Sequence, residues 1–438
     1  KDAMKQVEPL TRREEILEKQ KQYLFPSVMT SYSEPLVLVR GKGIRLQDVE
    51  GREYLDFFGG ILTVIAGHCN DKITDAIIDQ ARTLQHVSTL FPTIPQVELA
   101  EKLASIAPGR LQKSFFTNSG TEANETAILM ARAYTGRHEV VALRHAYSGR
   151  SALALSLTAN YAWRVGGPGL PGIVHAHNAY CYRCPFEKTY PACDLVCARD
   201  VEELIRTATS GQLAAFIAEP IQGVGGFVTP PREYFSIVAE IVRKYGGVFI
   251  SDEVQTGFGR TGGRWFGIEH WGVEPDIITA AKGMANGSPI GATVATPEIA
   301  DSLKGLTIST FGGNPVSTRA AKATIDFIES EGLLENARVV GAYLRERLGE
   351  LQEKFPVIGD VRGMGLMQGM ELVKDRKTRQ PASEEMGRLM DLTRDNGLIV
   401  GKGGLYGNAV RFAPPLTCTR SDVDEAVRLL ERSFSRLS

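Results

Sequence analysis

Residues 247–262 read Gly-Val-Phe-Ile-Ser-Asp-Glu-Val-Gln-Thr-Gly-Phe-Gly-Arg-Thr-Gly, and residues 276–283 read Asp-Ile-Ile-Thr-Ala-Ala-Lys-Gly. Each stretch contains a short apolar run that is typical of a buried strand. Asp252 follows the first run, and Lys282 follows the second run 30 residues later. A carboxylate and an amine are therefore expected at the carboxyl ends of two strands, where α/β proteins bind their ligands.

Strand-like and helix-like segments alternate along most of the chain. Short β-rich runs cover 114–116, 140–143, 215–218, 248–251, 277–279 and 292–294. Stretches with helical periodicity separate them, for example over 123–134 and 231–245. This alternation predicts an α/β fold with a mainly parallel sheet that is flanked by helices on both faces.

The length of the chain predicts more than one domain. Its 438 residues exceed what a single hydrophobic core usually organises. After Pro315 the pattern changes to two long helices and then to paired strands. We therefore expect a large ligand-binding domain at 61–315 and a smaller α+β domain at 316–438. We expect the N-terminal segment, residues 1–60, to join the smaller domain.

The charge balance argues against nucleic acid and anionic membranes as partners. The chain has 50 Lys and Arg residues against 51 Asp and Glu residues, for a formal net charge of −1. Such a chain has no basic footprint for a polyanion, and no stretch approaches the ~20 apolar residues that cross a bilayer. We therefore expect neither nucleic acid nor a membrane as partner, and a location in the cytoplasm, with the mitochondrial matrix as the alternative if the source is eukaryotic.

Four of the six cysteines are close together in sequence, at Cys181, Cys184, Cys193 and Cys197. Thiolates at this spacing are able to hold a tetrahedral zinc ion. The competing and favoured interpretation is a loop of reduced cysteines that pack beside aromatic residues. We therefore expect no metal in the active site and keep the zinc cluster as the minor alternative.

The Asp252 and Lys282 pair suits a pyridine aldehyde, because a lysine forms a Schiff base and an aspartate keeps a ring nitrogen protonated. Together with 54–58 (Tyr-Leu-Asp-Phe-Phe), 118–124 (Asn-Ser-Gly-Thr-Glu-Ala-Asn) and 363–367 (Gly-Met-Gly-Leu-Met), this pair resembles the class III (subgroup II) aminotransferases. The resemblance extends from about residue 25 to the end of the chain. It implies PLP fold type I, with pyridoxal 5'-phosphate (PLP) as cofactor, in which Lys282 and Asp252 are the catalytic residues.

The segment 117–123 follows a predicted strand and opens a predicted helix. On its own this pattern is more often a helix N-cap than a ligand site. A helix N-terminus is nevertheless a ready anion site, and the family uses the matching residues for the cofactor phosphate. The resemblance therefore assigns Ser119, Gly120 and Thr121 to the phosphate.

The resemblance also implies which residues surround the pyridine ring. Tyr147 would stack on one face of the ring, and Gly149 completes the same motif. Val254 would pack on the opposite face, and Gln255 would bind the phenolic oxygen. Glu219 would lie in the hydrogen-bonding shell behind the ring. The chain departs from the family at Ser148, where histidine is usual, so any role of that imidazole is absent here.

Two further residues are assigned to the substrate and to a second subunit. Arg411 lies in an apolar strand that ends in two prolines; without context it would often be part of an interdomain ion pair. The family uses the matching arginine for the substrate carboxylate. The matching threonine, Thr310, reaches the phosphate of the neighbouring subunit, which implies a homodimer with shared active sites. A homotetramer built from two dimers is the alternative.

The motifs around Glu219 and Thr310 are most similar to the alanine-glyoxylate and 3-aminoisobutyrate-pyruvate enzymes of the family. This similarity implies an aminotransferase that moves an amino group from alanine, β-alanine or 3-aminoisobutyrate to glyoxylate or pyruvate. Ornithine and 4-aminobutyrate enzymes tend to have a glutamate at the position of Val224, which argues against those donors. The alternatives are ornithine or 4-aminobutyrate transamination, a PLP aminomutase or racemase, and a nucleotide-binding α/β protein without PLP.

Overall fold

The computed structural model describes residues 11–167 and 169–437. Residues 1–10 of the expected N-terminal segment, Pro168 and Ser438 therefore lie outside the described residues. The longer α-helices are Arg12–Tyr23, Asp71–Thr83, Ile94–Ile106, Gly120–Thr135, Ala152–Leu157, Val196–Ala208, Tyr234–Lys244, Pro315–Ser330, Leu333–Lys354, Ser383–Asp395 and Arg420–Ser435. Short helical turns at Tyr161–Trp163, Cys181–Arg183, Gly267–Trp271 and Lys282–Ala285 lie in the connections.

The predicted α/β class is confirmed by a central sheet of seven described strands. In spatial order they are Lys113–Thr117, Gly291–Ala295, Ile277–Ala280, Val248–Asp252, Leu213–Ala218, Glu139–Leu143 and Ile173–Ala176. The strand Gly291–Ala295 is antiparallel to both of its neighbours, and all other pairs are parallel. The sequence did not predict Ile173–Ala176, a short edge strand that follows a glycine- and proline-rich loop.

Helices cover both faces of this sheet, and the strand sequences explain why. Successive side chains of a strand point to opposite faces. Phe216 and Phe249 pack with the helices Val196–Ala208 and Tyr234–Lys244 on one face. The next residues along, Ile217 and Ile250, pack with the helix Gly120–Thr135 on the other face. Both faces are apolar, so the strands show continuous apolar runs, as expected for a parallel sheet.

Two smaller sheets combine distant parts of the chain. The N-terminal strands Leu38–Lys42, Arg45–Asp48 and Glu53–Asp56 form a sheet that Leu398–Ile399 extends in parallel. The other sheet contains Ile358–Met364, Met367–Asp375, Ala409–Phe412 and Gly401–Gly403, with Gln380–Pro381 beside its second strand. The three expected segments, 1–60, 61–315 and 316–438, remain a prediction. Among the described residues, we find no helix with the length and apolar character to cross a membrane.

Candidate active site

The residues predicted for the site come from successive strand ends. Asp252 is the last residue of Val248–Asp252, Glu219 follows Leu213–Ala218 directly, and Lys282 comes two residues after Ile277–Ala280. These three strands are adjacent and parallel, so their carboxyl ends lie along one edge of the sheet. The fold thus brings two carboxylates and one amine together, as the sequence predicts for Asp252 and Lys282.

Asp252 is a buried carboxylate that receives only neutral hydrogen bonds from the described chain. Its side chain accepts from Asn124 Nδ2 at 2.9 Å and from the backbone N–H of Val254 at 3.1 Å. Only 3% of the residue is exposed. Burial raises the pKa of Asp252, and the two hydrogen bonds and the Lys282 charge oppose this shift. Binding of a cation next to the remaining lone pairs of the Asp252 carboxylate would therefore be strongly favourable.

Asn124 organises the centre of the site, and the sequence analysis did not assign it a role. Its Nδ2 donates to Asp252 and to the carbonyl oxygen of Ser148, both at 2.9 Å, and its Oδ1 accepts from Thr279 Oγ1 at 2.7 Å. It thereby joins three segments to the helix Gly120–Thr135. An asparagine in the interior of a buried helix is unfavourable unless its side chain is hydrogen-bonded. Its position within the predicted helix was therefore the signal in the sequence that could have indicated a role.

Lys282 is half-buried at the start of the short turn Lys282–Ala285. Its backbone adopts φ +43°, which is strained for a residue with a side chain. Burial lowers the pKa of Lys282, the Arg411 charge adds to the effect, and Asp252 and Glu219 oppose it. A lysine with a lowered pKa has a larger fraction of neutral amine, which is the form that attacks carbonyls and accepts protons.

Two backbone N–H groups hold the Glu219 carboxylate in place by hydrogen bonds. Oε1 accepts from the N–H of Tyr147 at 3.1 Å, and Oε2 accepts from the N–H of Gly223 at 2.8 Å. Burial raises the pKa of Glu219, and the nearby Asp252 charge raises it further. The residue therefore connects the loop that carries Tyr147 to the turn that follows the strand Leu213–Ala218.

The predicted phosphate residues form the N-terminus of the helix Gly120–Thr135. Ser119 caps it by accepting from the N–H of Glu122 at 3.2 Å. A Cβ on Gly120 would lie 3.0 Å from the methyl groups of Val254. Gly149 has φ +132°, and a Cβ there would lie 2.3 Å from Thr121 Oγ1. The two glycines thus allow three chain segments to converge at one anion-binding helix end.

Tyr147 and Gln255, which are predicted to contact the cofactor ring, lie on loops that follow strands of the central sheet. The Tyr147 ring packs edge-on against Trp163, with 5.5 Å between ring centroids, and Trp163 was missed by the sequence analysis. Gln255 is buried, and its Oε1 has no hydrogen-bond partner among the described residues. Ser148, which replaces the usual histidine, contributes backbone groups, since its N–H donates to Thr158 Oγ1 at 3.0 Å.

Arg411 lies between two aromatic rings that the sequence analysis also missed. Its guanidinium carbon is 4.8 Å from the ring centroid of Phe58 and 5.7 Å from that of Phe227. Nε donates to the carbonyl oxygen of Lys402 at 3.1 Å, while the buried Nη1 has no partner within the described ranges. Burial lowers the pKa of Arg411 to about 10, and Glu219 opposes the shift. The free Nη1 suits an anion that enters from outside the chain.

Thr310 lies on an exposed loop before the helix Pro315–Ser330, next to the exposed Phe311. The loop is adjacent to the phosphate segment, because Asn118 Nδ2 donates to Ser309 Oγ at 3.4 Å. Thr310 itself faces outward.

The four cysteines 181, 184, 193 and 197 are free thiols that line a small cavity of about 10 Å³. Across residues 11–167 and 169–437, no group of three or more His, Cys, Asp or Glu side chains is arranged to hold a metal ion. The geometry thus gives the zinc interpretation no support.

The site fits pyridoxal 5'-phosphate. The buried Asp252 carboxylate, which receives only neutral hydrogen bonds, suits a protonated pyridine nitrogen. The orphaned Oε1 of Gln255 can accept from a phenolic hydroxyl group. The helix end at Ser119–Thr121 suits a phosphate, and the amine of Lys282 lies near Asp252 and Glu219.

Comparisons with known proteins agree with this arrangement. The family model for aminotransferase class III matches residues 28–434. An Arabidopsis thaliana protein named alanine-glyoxylate aminotransferase 2 homolog 2, mitochondrial, is 45% identical over 423 residues, which cover 96% of this chain and 87% of that protein. A leucine/methionine racemase from Thermococcus litoralis is 41% identical over 432 residues, covering 97% of this chain and 96% of that protein.

A solved structure shares the fold across nearly the whole chain. It is an amine transaminase from an uncultivated Pseudomonas species in a PLP-bound form, with a TM-score of 0.90 and 35% identity. The match covers 95% of this chain and 99% of that chain. The chain belongs to the aminotransferase class III family and is a pyridoxal 5'-phosphate-dependent transaminase.

Proposed function

We propose that this transaminase moves an amino group from alanine or a β-amino acid, such as β-alanine or 3-aminoisobutyrate, to glyoxylate or pyruvate. The observation that carries the proposal is the free, buried Nη1 of Arg411. Val224, on the turn that faces Arg411, cannot form an ion pair with it, so the guanidinium stays available to a carboxylate in both half-reactions. The similarity to the Arabidopsis protein supports the same substrate class.

We propose that the cofactor is held by the residues that converge at the sheet edge. Ser119, Gly120 and Thr121 would bind the phosphate at the helix N-terminus. Asp252 would pair with the protonated ring nitrogen, and Asn124 would keep its carboxylate in place. Gln255 would accept from the phenolic hydroxyl group.

The ring would lie between Tyr147 on one face and Val254 on the other. Gly149 would keep Thr121 close to the phosphate, because a side chain there would overlap the threonine. Glu219 would anchor the loop of Tyr147 from behind through its hydrogen bond to the backbone.

When bound, the cofactor supplies an aldehyde that takes up amino groups and a ring that withdraws electrons. In the proposed mechanism, Arg411 binds the substrate carboxylate and fixes the orientation of the reacting carbon. The amine of Lys282 removes the proton from that carbon as a general base, and it returns the proton as a general acid. Asp252 keeps the ring nitrogen protonated, so that negative charge at the reacting carbon is stabilised.

A second candidate function is favoured by one comparison. The similarity to a leucine/methionine racemase is nearly as high as that to the Arabidopsis protein. A racemase or aminomutase acts within one molecule and needs no keto-acid acceptor. Turnover that requires glyoxylate or pyruvate supports transamination, and interconversion of enantiomers without an acceptor supports the alternative.

The proposed substrates are tested by single half-reactions. PLP-loaded protein is mixed separately with L-alanine, β-alanine, 3-aminoisobutyrate, 4-aminobutyrate or ornithine, without acceptor, and the visible absorbance of the cofactor is followed. We expect rapid loss of absorbance with alanine or the β-amino acids, and little change with ornithine. Simple amines should react at least about tenfold more slowly than the amino acids, because they lack the charge-assisted pair with Arg411. Fast reaction with ornithine or 4-aminobutyrate would contradict the argument from Val224.

The role of Lys282 is tested by Lys282→Ala. We expect the variant to keep bound PLP, because the other cofactor contacts remain, and to lose at least about 10²-fold in turnover. Added methylamine should restore part of the rate by replacing the missing amine. Lys377→Ala, at an exposed hairpin residue, is the matched control and should behave as wild type. Near-wild-type turnover of Lys282→Ala would rule out the proposed role.

We propose a homodimer in which Thr310 of each subunit reaches the phosphate of the other. Its support is a cluster of strongly exposed apolar residues on the segments around Thr310 and before the helix Ile94–Ile106. These are Leu90, Phe91, Ile94, Leu306, Ile308 and Phe311, with exposed fractions between 56% and 108%. Apolar patches of this kind mark protein interfaces. A tetramer of two such dimers is the alternative assembly.

The dimer is tested by Leu306→Asp, since this side chain is fully exposed and the substitution should not disturb the fold. Light scattering should report a monomer, and the dissociation constant for PLP should rise about tenfold, as expected for the loss of one charge-assisted contact. Thr310→Ala is the companion variant, which should stay dimeric and bind PLP equally weakly. A monomer with wild-type affinity for PLP would contradict the shared site.

For the compartment we propose the cytoplasm, with the mitochondrial matrix as the alternative because the Arabidopsis relative is named as mitochondrial. Fractionation of the source cells with immunodetection distinguishes them.

A further inference from the structure

A second buried arginine, Arg362, lies in line with Arg411 on the sheet formed by Ile358–Met364, Met367–Asp375 and Ala409–Phe412. Arg362 is paired with Gly369, and Gly369 is paired with Arg411 on the next strand. Directly paired residues of antiparallel strands point to the same face. The two arginine side chains therefore lie on one face of the sheet, with Gly369 between them. Two strand separations place their Cα atoms about 10 Å apart.

The gap above Gly369 is filled by the turn 223–227, which follows the strand Leu213–Ala218. A Cβ on Gly369 would lie 3.3 Å from Phe227 Cβ and 3.5 Å from the carbonyl oxygen of Gly226. That carbonyl accepts from Arg362 Nε at 3.0 Å, and the ring of Phe227 packs on Arg411. The turn thus inserts between the two arginines and contacts both.

This turn has a backbone that needs external support. Gly226 has φ +98° and Phe227 has φ +57°, which is strained for a residue with a large side chain. Within the described residues, two hydrogen bonds link its carbonyls to the facing sheet and the residue after it: Gly226 accepts from Arg362, and Val224 accepts from the N–H of Gly404 at 2.8 Å. Loss of the Arg362 contact would leave Val224 as the carbonyl hydrogen-bonded to the facing segment, and Gly226 would be restrained mainly by its own N–H, which donates to the carbonyl oxygen of Gly223 at 3.1 Å.

Arg362 is itself held by two acids, the buried Glu371 and the partly exposed Asp360. Nη1 donates to Glu371 Oε2 at 2.7 Å and to Asp360 Oδ2 at 2.8 Å. Burial alone would raise the pKa of Glu371, but the Arg362 and Arg183 charges and the Tyr180 hydroxyl outweigh it and lower the pKa overall. Glu371 therefore stays ionised, and it orients the Arg362 guanidinium towards the turn.

We propose that Arg362 is a positioning residue, which holds the turn 223–227 over Arg411 and so sets the affinity for the carboxylate of the substrate. The proposal rests on the proposed role of Arg411. Arg362 does not touch the substrate; it acts through Gly226 and Phe227. The turn supplies Phe227, whose ring packs against one face of the Arg411 guanidinium.

Three variants separate this role from a general loss of stability. Arg362→Lys keeps a positive charge for Glu371 but loses the rigid fork that reaches both the acids and Gly226. Gly369→Ala leaves the Arg362 side chain itself in place. It should displace the turn from the sheet, because the new Cβ would lie 3.3 Å from Phe227 Cβ. Arg183→Lys is the matched control, because Arg183 also pairs with Glu371 but, within the described residues, donates no hydrogen bond to the turn.

The probe is propionate, a carboxylate of substrate length without an amino group, titrated calorimetrically into the PLP-loaded protein. We expect Arg362→Lys to raise the dissociation constant about tenfold, which corresponds to about 1.4 kcal/mol. Gly369→Ala should act in the same direction, and Arg183→Lys should change it less than about twofold. Amide hydrogen exchange over 223–227 should be faster in the first two variants, and PLP affinity should be unchanged in all three.

The outcomes distinguish this inference from the proposed function. Propionate binding by wild type that is lost in Arg411→Ala supports the premise. If wild type and Arg411→Ala bind propionate equally, the role of Arg411 fails, and the inference fails with it. If the premise holds but Arg362→Lys and Gly369→Ala bind propionate like wild type, or Arg183→Lys is equally weakened, the positioning role alone is overturned.

Discussion

The site depends on one buried carboxylate for which the described residues provide no direct ion pair. Asp252 ends a central strand and is almost fully buried, and in the part of the chain that the structure describes it receives hydrogen bonds only from the neutral donors Asn124 and Val254. Burying a negative charge in this way costs free energy unless a cation forms an ion pair with it. In a PLP-dependent enzyme the protonated ring nitrogen is that cation. In the proposed mechanism, the surrounding fold presents Asp252 to the ring nitrogen of the cofactor and Lys282 to the reacting carbon.

The sequence predicted the parts of the site that local pattern and family motifs reveal. The strand ends carrying Glu219, Asp252 and Lys282 lie where the apolar runs indicate, because a sheet covered on both faces needs continuous apolar strands. It did not predict Asn124 as the organiser of Asp252, since that contact spans 128 residues of sequence and depends on how a helix lies on the sheet. The edge strand Ile173–Ala176 was missed because it is short and half-buried.

The substrate side of the site was less predictable for the same reason. Arg411 stands out in the sequence, yet its environment comes from three distant segments that supply Phe58, Phe227 and Lys402. Phe58 ends the motif 54–58, but neither that motif nor the sequence around Phe227 indicates a contact with Arg411. The turn 223–227 connects these contacts with Glu219, whose Oε2 accepts from Gly223. A single short turn therefore contacts both Glu219 and Arg411, the residues proposed to support the cofactor and to bind the substrate.

The central claim is that ionised Asp252 keeps the ring nitrogen of the cofactor protonated. The most direct measurement is the ¹⁵N chemical shift of PLP labelled at its ring nitrogen and bound to the protein at neutral pH. The account predicts a protonated nitrogen in wild type and an unprotonated one in Asp252→Asn, which cannot supply the negative charge. An unprotonated nitrogen in wild type, or identical shifts in both proteins, would contradict it.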